Sequence, residues 1–251
     1  MLKVEHLNLS FGGLKATNDV SMHVKPNQIT ALIGPNGAGK TTLFNQITGV
    51  YKPDSGEIWF NGARIDGMKP YQINDAGISR TYQVINLFRS MTVLENVQVG
   101  RHTRLKSGYW QNLIHTKSMR EEEQASLEKA YELLDFVGLT EHEKDPAGSL
   151  SYGKQRLLEI IRGMANDPKL ILLDEPAAGM NSAEKEDLNV LIRRIIDRGI
   201  TVLVVEHDMK LIMDIADEIY VIESGTNLAH GTPAEIQSHP EVIRAYLGGD
   251  D

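Results

Sequence analysis

The feature that most constrains this chain is a glycine-rich run over residues 34–42, which reads GPNGAGKTT. A short apolar segment over residues 29–33 precedes it, and apolar residues follow at helical spacing at Leu43, Phe44 and Ile47. Strand, glycine loop and helix in this order are the context in which the pattern G-x-x-x-x-G-K-[ST] forms a phosphate-binding loop. The glycines let several backbone N–H groups face one anion, and the helix N-terminus adds partial positive charge. The sequence therefore predicts a nucleoside triphosphate site.

Every position of this loop is a candidate nucleotide contact, and the set comprises Gly34, Pro35, Asn36, Gly37, Ala38, Gly39, Lys40, Thr41 and Thr42. Lys40 would bring a mobile positive charge to the β- and γ-phosphates, and the Thr41 hydroxyl is a candidate ligand for Mg²⁺. The chain lacks the N-K-x-D pattern with which a GTPase reads guanine. The loop by itself leaves a P-loop kinase or GTPase as an alternative, and this absence argues against a GTPase. We expect ATP and Mg²⁺ as the bound cofactors.

Two further apolar segments end in residues suited to phosphate chemistry. Residues 170–173 read LILL, which predicts a buried parallel strand, and Asp174 and Glu175 follow directly. Because ligands bind at the carboxyl ends of parallel strands, both carboxylates should lie beside the phosphate loop. Asp174 is a candidate Mg²⁺ ligand, and Glu175 is a candidate base for the attacking water. His207 ends the next such strand and is a candidate donor to the γ-phosphate.

The distribution of patterns along the chain predicts an α/β fold. Alternating and apolar segments before residue 61 predict an antiparallel β subdomain beside the nucleotide-binding core, and later strands alternate with helical patterns as in a parallel sheet. We expect one nucleotide-binding domain over residues 1–251. An inserted helical subdomain should cover roughly residues 89–165, and a helical tail should cover roughly residues 232–251.

Composition limits the classes of partner. Lys plus Arg is 26 and Asp plus Glu is 34, and the resulting net charge of −8 argues against a nucleic-acid surface. The absence of cysteine excludes disulfides and thiolate metal sites. There is no apolar N-terminal leader pattern, and the apolar runs are far short of the ~20 residues of a spanning helix. We expect a soluble, cytosolic protein whose membrane association depends on a partner.

The charged run over residues 101–125 predicts either a solvated helical insertion or a partner-docking surface.

Taken together, these segments resemble the ATP-binding subunits of ABC transporters over essentially the whole chain. Residues 34–42 match the family's Walker A motif, and residues 170–175 match its Walker B motif with the catalytic glutamate. By this resemblance, His207 is the switch histidine and Phe11 is the aromatic residue that stacks on adenine. Gln83 is the Q-loop glutamine, which the resemblance implies acts both in catalysis and as a metal ligand.

The family's signature motif is the most specific match, at Leu150-Ser151-Tyr152-Gly153-Lys154. The resemblance implies that Ser151 and Gly153 bind the nucleotide of the opposite subunit, so that a head-to-tail dimer encloses two ATP molecules. The usual form is L-S-G-G-Q, so Tyr152 and Lys154 depart from it. Residues 178–181 read AGMN where the family commonly has S-A-L-D.

Within the family, the chain is most similar to the ATPases of branched-chain amino acid importers, through residues 11–16, 87–96, 175–179, 206–210 and 242–248. This likeness implies two membrane permease subunits, a sister ATPase or a second copy of this chain, and a periplasmic amino-acid-binding protein that acts via the permease. It places the chain at the cytoplasmic face of the inner membrane, held peripherally by the permeases. The alternatives are an importer for urea or short amides or for other hydrophobic amino acids, and a soluble ABC ATPase acting on nucleic acid or ribosomes.

Overall fold

In the computed structural model, residues 1–101 and 117–247 are described, and they form two sheets flanked by helices. The strands are β1 (Leu2–Phe11), β2 (Leu14–Val24), β3 (Ile29–Ile33), β4 (Ser55–Phe60), β5 (Ala63–Arg64), β6 (Ile78–Arg80), β7 (Leu170–Asp174), β8 (Thr201–Val205), β9 (Glu218–Glu223) and β10 (Thr226–Gly231). The helices are α1 (Lys40–Ile47), α2 (Pro70–Ala76), α3 (Val93–Gly100), α4 (Lys117–Phe136), α5 (Tyr152–Met164), α6 (Ser182–Asp197), α7 (Met209–Ile215), α8 (Pro233–Gln237) and α9 (Pro240–Leu247).

The smaller sheet is antiparallel, as the alternating N-terminal pattern predicts. Its order is β2-β1-β4-β5, and β1 pairs with both β2 and β4. Leu2 and Val4 of β1 are buried while Lys3 is exposed, because successive side chains of a strand point to opposite faces. An irregularity between Val4 and Leu7 shifts this alternation by one residue, so that Leu7 and Leu9 are buried after it. This sheet carries Phe11 at the end of β1, from which the chain turns directly into β2.

The larger sheet has the order β10-β9-β3-β8-β7-β6. Strands β6, β7, β8, β3 and β9 are parallel, and β10 is an antiparallel edge strand. The sequence patterns predict β3, β7, β8 and β9, and the structure confirms them. Strands β6 and β10 are missing from that prediction because β6 has only three residues and β10 has no continuous apolar stretch.

Both faces of the larger sheet are covered, so its central strands are apolar throughout. Alternate residues of β8 divide between two cores: Val202 and Val204 join one, while Leu203 and Val205 join the other. The first core contains side chains from α3–α9, and the second contains α1 together with the antiparallel sheet. This double burial explains the continuous LILL and TVLVV runs, which alternation of polar and apolar residues would have interrupted.

The helix boundaries follow the capping signals in the sequence. Ser151 caps α5 by accepting a hydrogen bond from the backbone of Lys154, and Gly199 has a φ of 78° just beyond the end of α6. These two boundaries confirm the predicted ones. Residues 102–116 of the charged run lie outside the described residues, Arg101 caps the end of α3, and residues 117–125 belong to α4.

Topology alone brings distant parts of the chain to one edge of the larger sheet. Because β3, β6, β7 and β8 are parallel, their carboxyl ends meet at the same edge. The segments that continue from those ends contain the phosphate loop, Gln83, Glu175 and His207. The fold therefore places all the predicted phosphate-handling groups in one neighbourhood.

Candidate active site

The phosphate loop connects β3 with α1, as the sequence predicts. Gly39 immediately precedes α1 with a φ of 102°, and a Cβ atom there would lie 2.3 Å from the carbonyl oxygen of Ala16. A Cβ atom at Gly34 would lie 2.1 Å from the carbonyl oxygen of Ile222. Both positions therefore require glycine for steric reasons, in addition to the backbone freedom that the motif uses.

Lys40 is held inside the loop rather than in solvent. Its Nζ donates to the carbonyl oxygens of Gly34 and Pro35 at 2.7 and 2.9 Å, and the residue is only 6% exposed. Burial lowers the pKa of Lys40, while the carboxylates of Glu175 and Asp174 oppose that shift. The ammonium group is thus preorganised beside the loop, and phosphate oxygens can replace its two carbonyl partners.

An open cavity of about 530 Å³ lies over the loop. Its lining combines predicted site residues with four that were not predicted to be part of the site, and it consists of Phe11, Leu14, Lys15, Ala16, Asn36, Gly37, Ala38, Gly39, Lys40, Thr41, Thr42, Gln83, Glu175, His207 and Ser224. The unpredicted residues are Leu14, Lys15, Ala16 and Ser224, which reach the cavity only through the packing of the two sheets. Gly34 and Pro35 are not part of the lining and contribute through their contact with Lys40.

The three predicted catalytic side chains form a connected set centred on Glu175. Gln83 donates from Nε2 to Glu175 Oε2 at 2.8 Å, and His207 Nε2 lies 2.8 Å from Glu175 Oε1. Glu175 has a φ of 47°, an uncommon conformation for a residue with a side chain. Such local strain costs about 1–3 kcal/mol and concentrates at functional sites. The carboxylate is therefore fixed in direction by both its backbone and its two partners.

Asp174 occupies a different environment from its neighbour. It is 3% exposed, does not line the cavity, and accepts a hydrogen bond from Arg80 at 2.7 Å. Arg80 also donates to Asn45 and lies over the ring of Phe44. Removing one member of a buried pair leaves an uncompensated charge, at a cost on the order of 3–5 kcal/mol. The sequence patterns miss Arg80, because the strand that ends at this residue has only three residues and is not recognisable from its pattern.

The segment after β8 is organised by Glu206. Its carboxylate accepts hydrogen bonds from the backbone N–H groups of Ala177 at 2.7 Å and His207 at 3.0 Å. Burial raises the pKa of Glu206, while these backbone donors oppose the shift. Glu206 thus ties the turn after Glu175 to the turn that carries His207, and it fixes the relative position of the two side chains.

Phe11 stands at the rim of the cavity and is 47% exposed. Its ring packs edge-on against Tyr51, with the ring centroids 5.3 Å apart. Because Phe11 lines the cavity and is about half exposed, its ring is accessible to a planar group, which suits the predicted contact with a base. Tyr51 is a further residue that the sequence patterns miss, because its role depends on a contact with another part of the chain.

Ser151 and Gly153 lie outside this cavity. Ser151 is exposed at the N-terminus of α5, whereas Gly153 is buried against Glu184, where a Cβ atom would lie 2.5 Å from Oε1. The structure therefore does not bring these two residues to the phosphate loop of their own chain, in keeping with a role on an opposite subunit.

Comparison with known proteins identifies the family. The sequence profile of the ABC transporter family matches residues 17–178, and a profile described as branched-chain amino acid ATP-binding cassette transporter matches residues 226–251. This chain belongs to the ABC transporter family. Its ATPase activity and nucleotide binding, expected from the motifs, are thereby confirmed.

Curated relatives match this ABC ATPase over nearly their whole length. The high-affinity branched-chain amino acid transport ATP-binding protein LivG of Escherichia coli (strain K12) is 47% identical over 249 residues, which cover 99% of this chain and 98% of that protein. The corresponding protein BraF of Pseudomonas aeruginosa is 45% identical with the same coverage.

Solved structures confirm the expected fold. A crystal structure of the ADP conformation of an ATP-binding cassette of an ABC transporter matches with a TM-score of 0.87 and 34% identity, covering 99% of this chain and 98% of that one. A nucleotide-free cassette from an ABC transporter matches with a TM-score of 0.85 and 34% identity, covering 98% of each chain.

Proposed function

We propose that this ABC ATPase powers the uptake of branched-chain amino acids. The observation that carries the proposal is the 47% identity to LivG over 99% of the chain. The match of residues 226–251 to the branched-chain family profile supports it independently, because this segment lies outside the general ATPase match. Among the described residues, no helix has both the length and the apolar character needed to cross a bilayer. From the similarity to transporter ATP-binding proteins, we propose that two membrane permease subunits complete the transporter.

The cavity supports a specific arrangement of ATP. The backbone of the phosphate loop and Lys40 would bind the β- and γ-phosphates, and Phe11 would stack on the adenine. Among the described residues, no cluster of His, Cys, Asp or Glu is arranged to hold a metal alone. Thr41 and Gln83 line the cavity and nevertheless offer hard oxygen donors, which suits Mg²⁺ shared with nucleotide phosphates. The Asp174 carboxylate, buried and paired with Arg80, would reach the ion through a water molecule. Bound there, the ion would neutralise charge that develops on the phosphates.

Glu175 is the proposed base for the attacking water. Gln83 and His207 each hydrogen-bond to one of its two oxygens. When a γ-phosphate binds, either hydrogen bond would break and free that oxygen of Glu175 for the attacking water. The Gln83 amide would then contact the water or the metal, and His207 would donate to the γ-phosphate. Since the transferred phosphoryl group needs little covalent assistance, positioning and electrostatic stabilisation would supply most of the catalysis.

We propose a head-to-tail dimer, formed with a sister ATPase or with a second copy of this chain. The Ser151 hydroxyl and the N-terminus of α5 face solvent in a single chain and offer a hydroxyl, backbone amides and a helix dipole. These groups would complete the ATP site of the opposite subunit. ATP binding would favour the closed dimer and hydrolysis the open one, so the nucleotide would bias a two-state element.

The permease contact is proposed for the segment after Gln83. Val84 is 79% exposed and Phe88 is 49% exposed, and a surface cleft next to them is lined by Asn86, Phe88 and Val99. An amphipathic permease helix would fit such an apolar and polar mixture. The permeases would accept cargo from a periplasmic binding protein. They would also hold this chain at the cytoplasmic face of the inner membrane.

Purification of the native complex tests this function. A tagged chain is isolated from gently solubilised membranes, its partners are identified by mass spectrometry, and the recovered binding protein is tested with leucine, isoleucine, valine and urea. Two permeases and a branched-chain amino acid specificity are expected. If urea were the sole ligand, the proposed substrate would be wrong and urea would be the transported compound. Ribosomal or DNA-repair partners without any membrane protein would overturn the transport proposal. The matched control is a tagged chain carrying Lys40→Ala, whose complex should form but not hydrolyse ATP.

A further inference from the structure

Two departures from the usual family motifs contact each other in this structure. Tyr152 stands in the signature motif where the family usually has glycine, and Gly179 lies in the loop over residues 178–181 that follows the Walker B segment. A Cβ atom at Gly179 would lie 3.1 Å from Cε1 of Tyr152 and 3.4 Å from its Cζ. The tyrosine ring therefore rests directly on the glycine backbone.

Gly179 is suited to this contact in two ways. Its φ is 76°, a left-handed conformation that side chains disfavour, and its missing side chain leaves room for the ring. A contact of 3.1 Å from a fixed Cβ to a ring carbon is too tight for ordinary packing. A small residue at position 179 and a large one at position 152 are thus mutually dependent.

The hydroxyl end of Tyr152 makes a second connection. Arg156 donates from Nη2 to the Tyr152 hydroxyl at 3.3 Å, and its guanidinium carbon lies 6.0 Å from the ring centroid. Arg156 is fully buried and also donates to the backbone carbonyls of Tyr82 at 2.7 Å and Gln83 at 2.8 Å. The same guanidinium therefore contacts both the signature residue and the backbone of the glutamine that touches Glu175.

Arg156 has little freedom to move independently of these partners. Its Nη1 also donates to Glu159 at 2.8 Å, and Glu159 in turn accepts a hydrogen bond from the backbone of Asn86. Both side chains of this pair are almost completely buried. A displacement of residues 82–86 would consequently be passed to Arg156 and Tyr152, since breaking such a buried network is costly.

We propose that Tyr152 is a positioning residue for ATP hydrolysis, which joins the Gln83 segment, through Arg156, to the signature motif and to the loop over residues 178–181. The proposal deepens the proposed function, because the signature motif acts on ATP only in the head-to-tail dimer. In the dimer, Gln83 moves when the γ-phosphate binds at one site. Arg156 and the Tyr152 ring move with it, which shifts the signature surface that faces the other site. The departures from the family motifs at positions 152 and 179 then act together, so that the effect of a substitution at one position depends on the residue at the other.

A double-mutant cycle tests the unit, using the assembled transporter and the variants Tyr152→Gly, Gly179→Ala and their combination. Gly179→Ala should lower kcat on the order of tenfold, because its Cβ would press on the ring. In the Tyr152→Gly background the same change should cost about threefold or less, since only the backbone strain would remain. Tyr152→Phe keeps the ring but loses the bond to Arg156, so it should reduce the Hill coefficient for ATP more than it changes KM. Independent, multiplicative effects of the two substitutions would overturn the proposal.

Hydrogen exchange on the isolated chain separates this proposal from the dimer on which it depends. Tyr152→Gly should increase amide exchange over residues 82–86 and 178–181 without ATP or a partner subunit. The matched control is Tyr131→Phe, at another tyrosine that is partly exposed, and it should leave both segments unchanged. Unchanged exchange in Tyr152→Gly overturns the coupling, whereas failure of a Glu175→Gln chain to dimerise with ATP would count against the dimer alone.

Discussion

At the scale of single residues, the site is organised by the position of Glu175. Its two oxygens contact Gln83 and His207, and its backbone is held in a left-handed conformation. A carboxylate with both oxygens engaged has a defined direction, which a general base needs before substrate arrives. The neighbouring Asp174 differs because Arg80 neutralises it in a buried setting. Two adjacent carboxylates are therefore prepared for different tasks by their surroundings.

Glu175→Gln should lower ATP turnover by about 100-fold or more, because general base catalysis contributes that much or more. The amide keeps the shape of the side chain, so ATP binding should persist and the closed dimer should accumulate. Turnover assays and size-exclusion chromatography with ATP measure the two effects. Lys40→Ala is the control, since it should lose nucleotide binding itself. Wild-type turnover in Glu175→Gln would show that another group is the base.

Glu206 should give stability a specific pH dependence. Its folded pKa lies above the ordinary 4.5, so between these two values the native chain holds a proton that the unfolded chain releases. The free energy of unfolding should therefore fall as the pH rises from 4.5 through the raised pKa. Glu206→Gln removes this titration.

Urea denaturation at several pH values checks the effect of Glu206. The unfolding free energy of wild type relative to Glu206→Gln should be highest below pH 4.5 and should decline as the pH rises through the raised pKa of Glu206. Lys185→Met, which leaves the carboxylate of Glu206 in place, should retain the decline. A difference that grows with pH would mean that the backbone donors outweigh burial at this carboxyl group.

At the scale of the elements, helix termini serve both stability and function. Ser151 caps α5 with a 3.4 Å hydrogen bond to the backbone of Lys154, and Thr92 caps α3 in the same manner at 3.2 Å to Glu95. The two caps are chemically similar and differ in their surroundings. Only the α5 cap belongs to the surface proposed to face a second nucleotide.

Ser151→Ala and Thr92→Ala should therefore separate capping from nucleotide contact. Each should cost about 0.5–2 kcal/mol of stability through loss of a cap, measured by thermal or urea unfolding. Only Ser151→Ala should also reduce ATP turnover in the assembled complex, because it removes a donor to the opposite nucleotide. Equal turnover in the two variants would place Ser151 outside the nucleotide site.

At the scale of the whole molecule, the nucleotide cavity and the proposed permease-docking surface share one segment. Gln83 lines the nucleotide cavity, and the next residue, Val84, is 79% exposed. A movement of Gln83 in the cavity would therefore also move Val84 on the surface, because the two residues are adjacent in the chain. This adjacency is the structural basis for the proposed link between ATP hydrolysis and permease movement.

Val84→Lys should weaken assembly with the permeases and abolish most cargo uptake, because it puts a charge into an apolar contact. Turnover of the isolated ATPase should stay within about twofold, as expected for an exposed substitution. Co-purification and uptake assays measure assembly and transport. Val190→Lys on α6 is the matched control, since that valine is also 58% exposed. Normal assembly and uptake in Val84→Lys would show that the permeases dock on another part of the chain.

The sequence by itself determined the elements that depend on neighbouring residues. The phosphate loop, the strands before Glu175 and His207, and the caps at Ser151 and Gly199 all follow from local pattern and backbone chemistry. With parallel topology, those patterns also predicted that Glu175 and His207 would meet the loop, and the structure confirms this. The division into a helical subdomain over residues 89–165 and a tail over residues 232–251 stays a prediction.

Only the tertiary structure decided the contacts between segments far apart in the chain. The pairing of Arg80 with Asp174 and the packing of Tyr152 on Gly179 join residues that no local periodicity relates. Their geometry depends on strand order, register and helix packing, which set distances that side-chain patterns do not encode. Local chemistry therefore selects the groups at the ligand edge, whereas long-range packing decides which charges are neutralised and which loops contact one another.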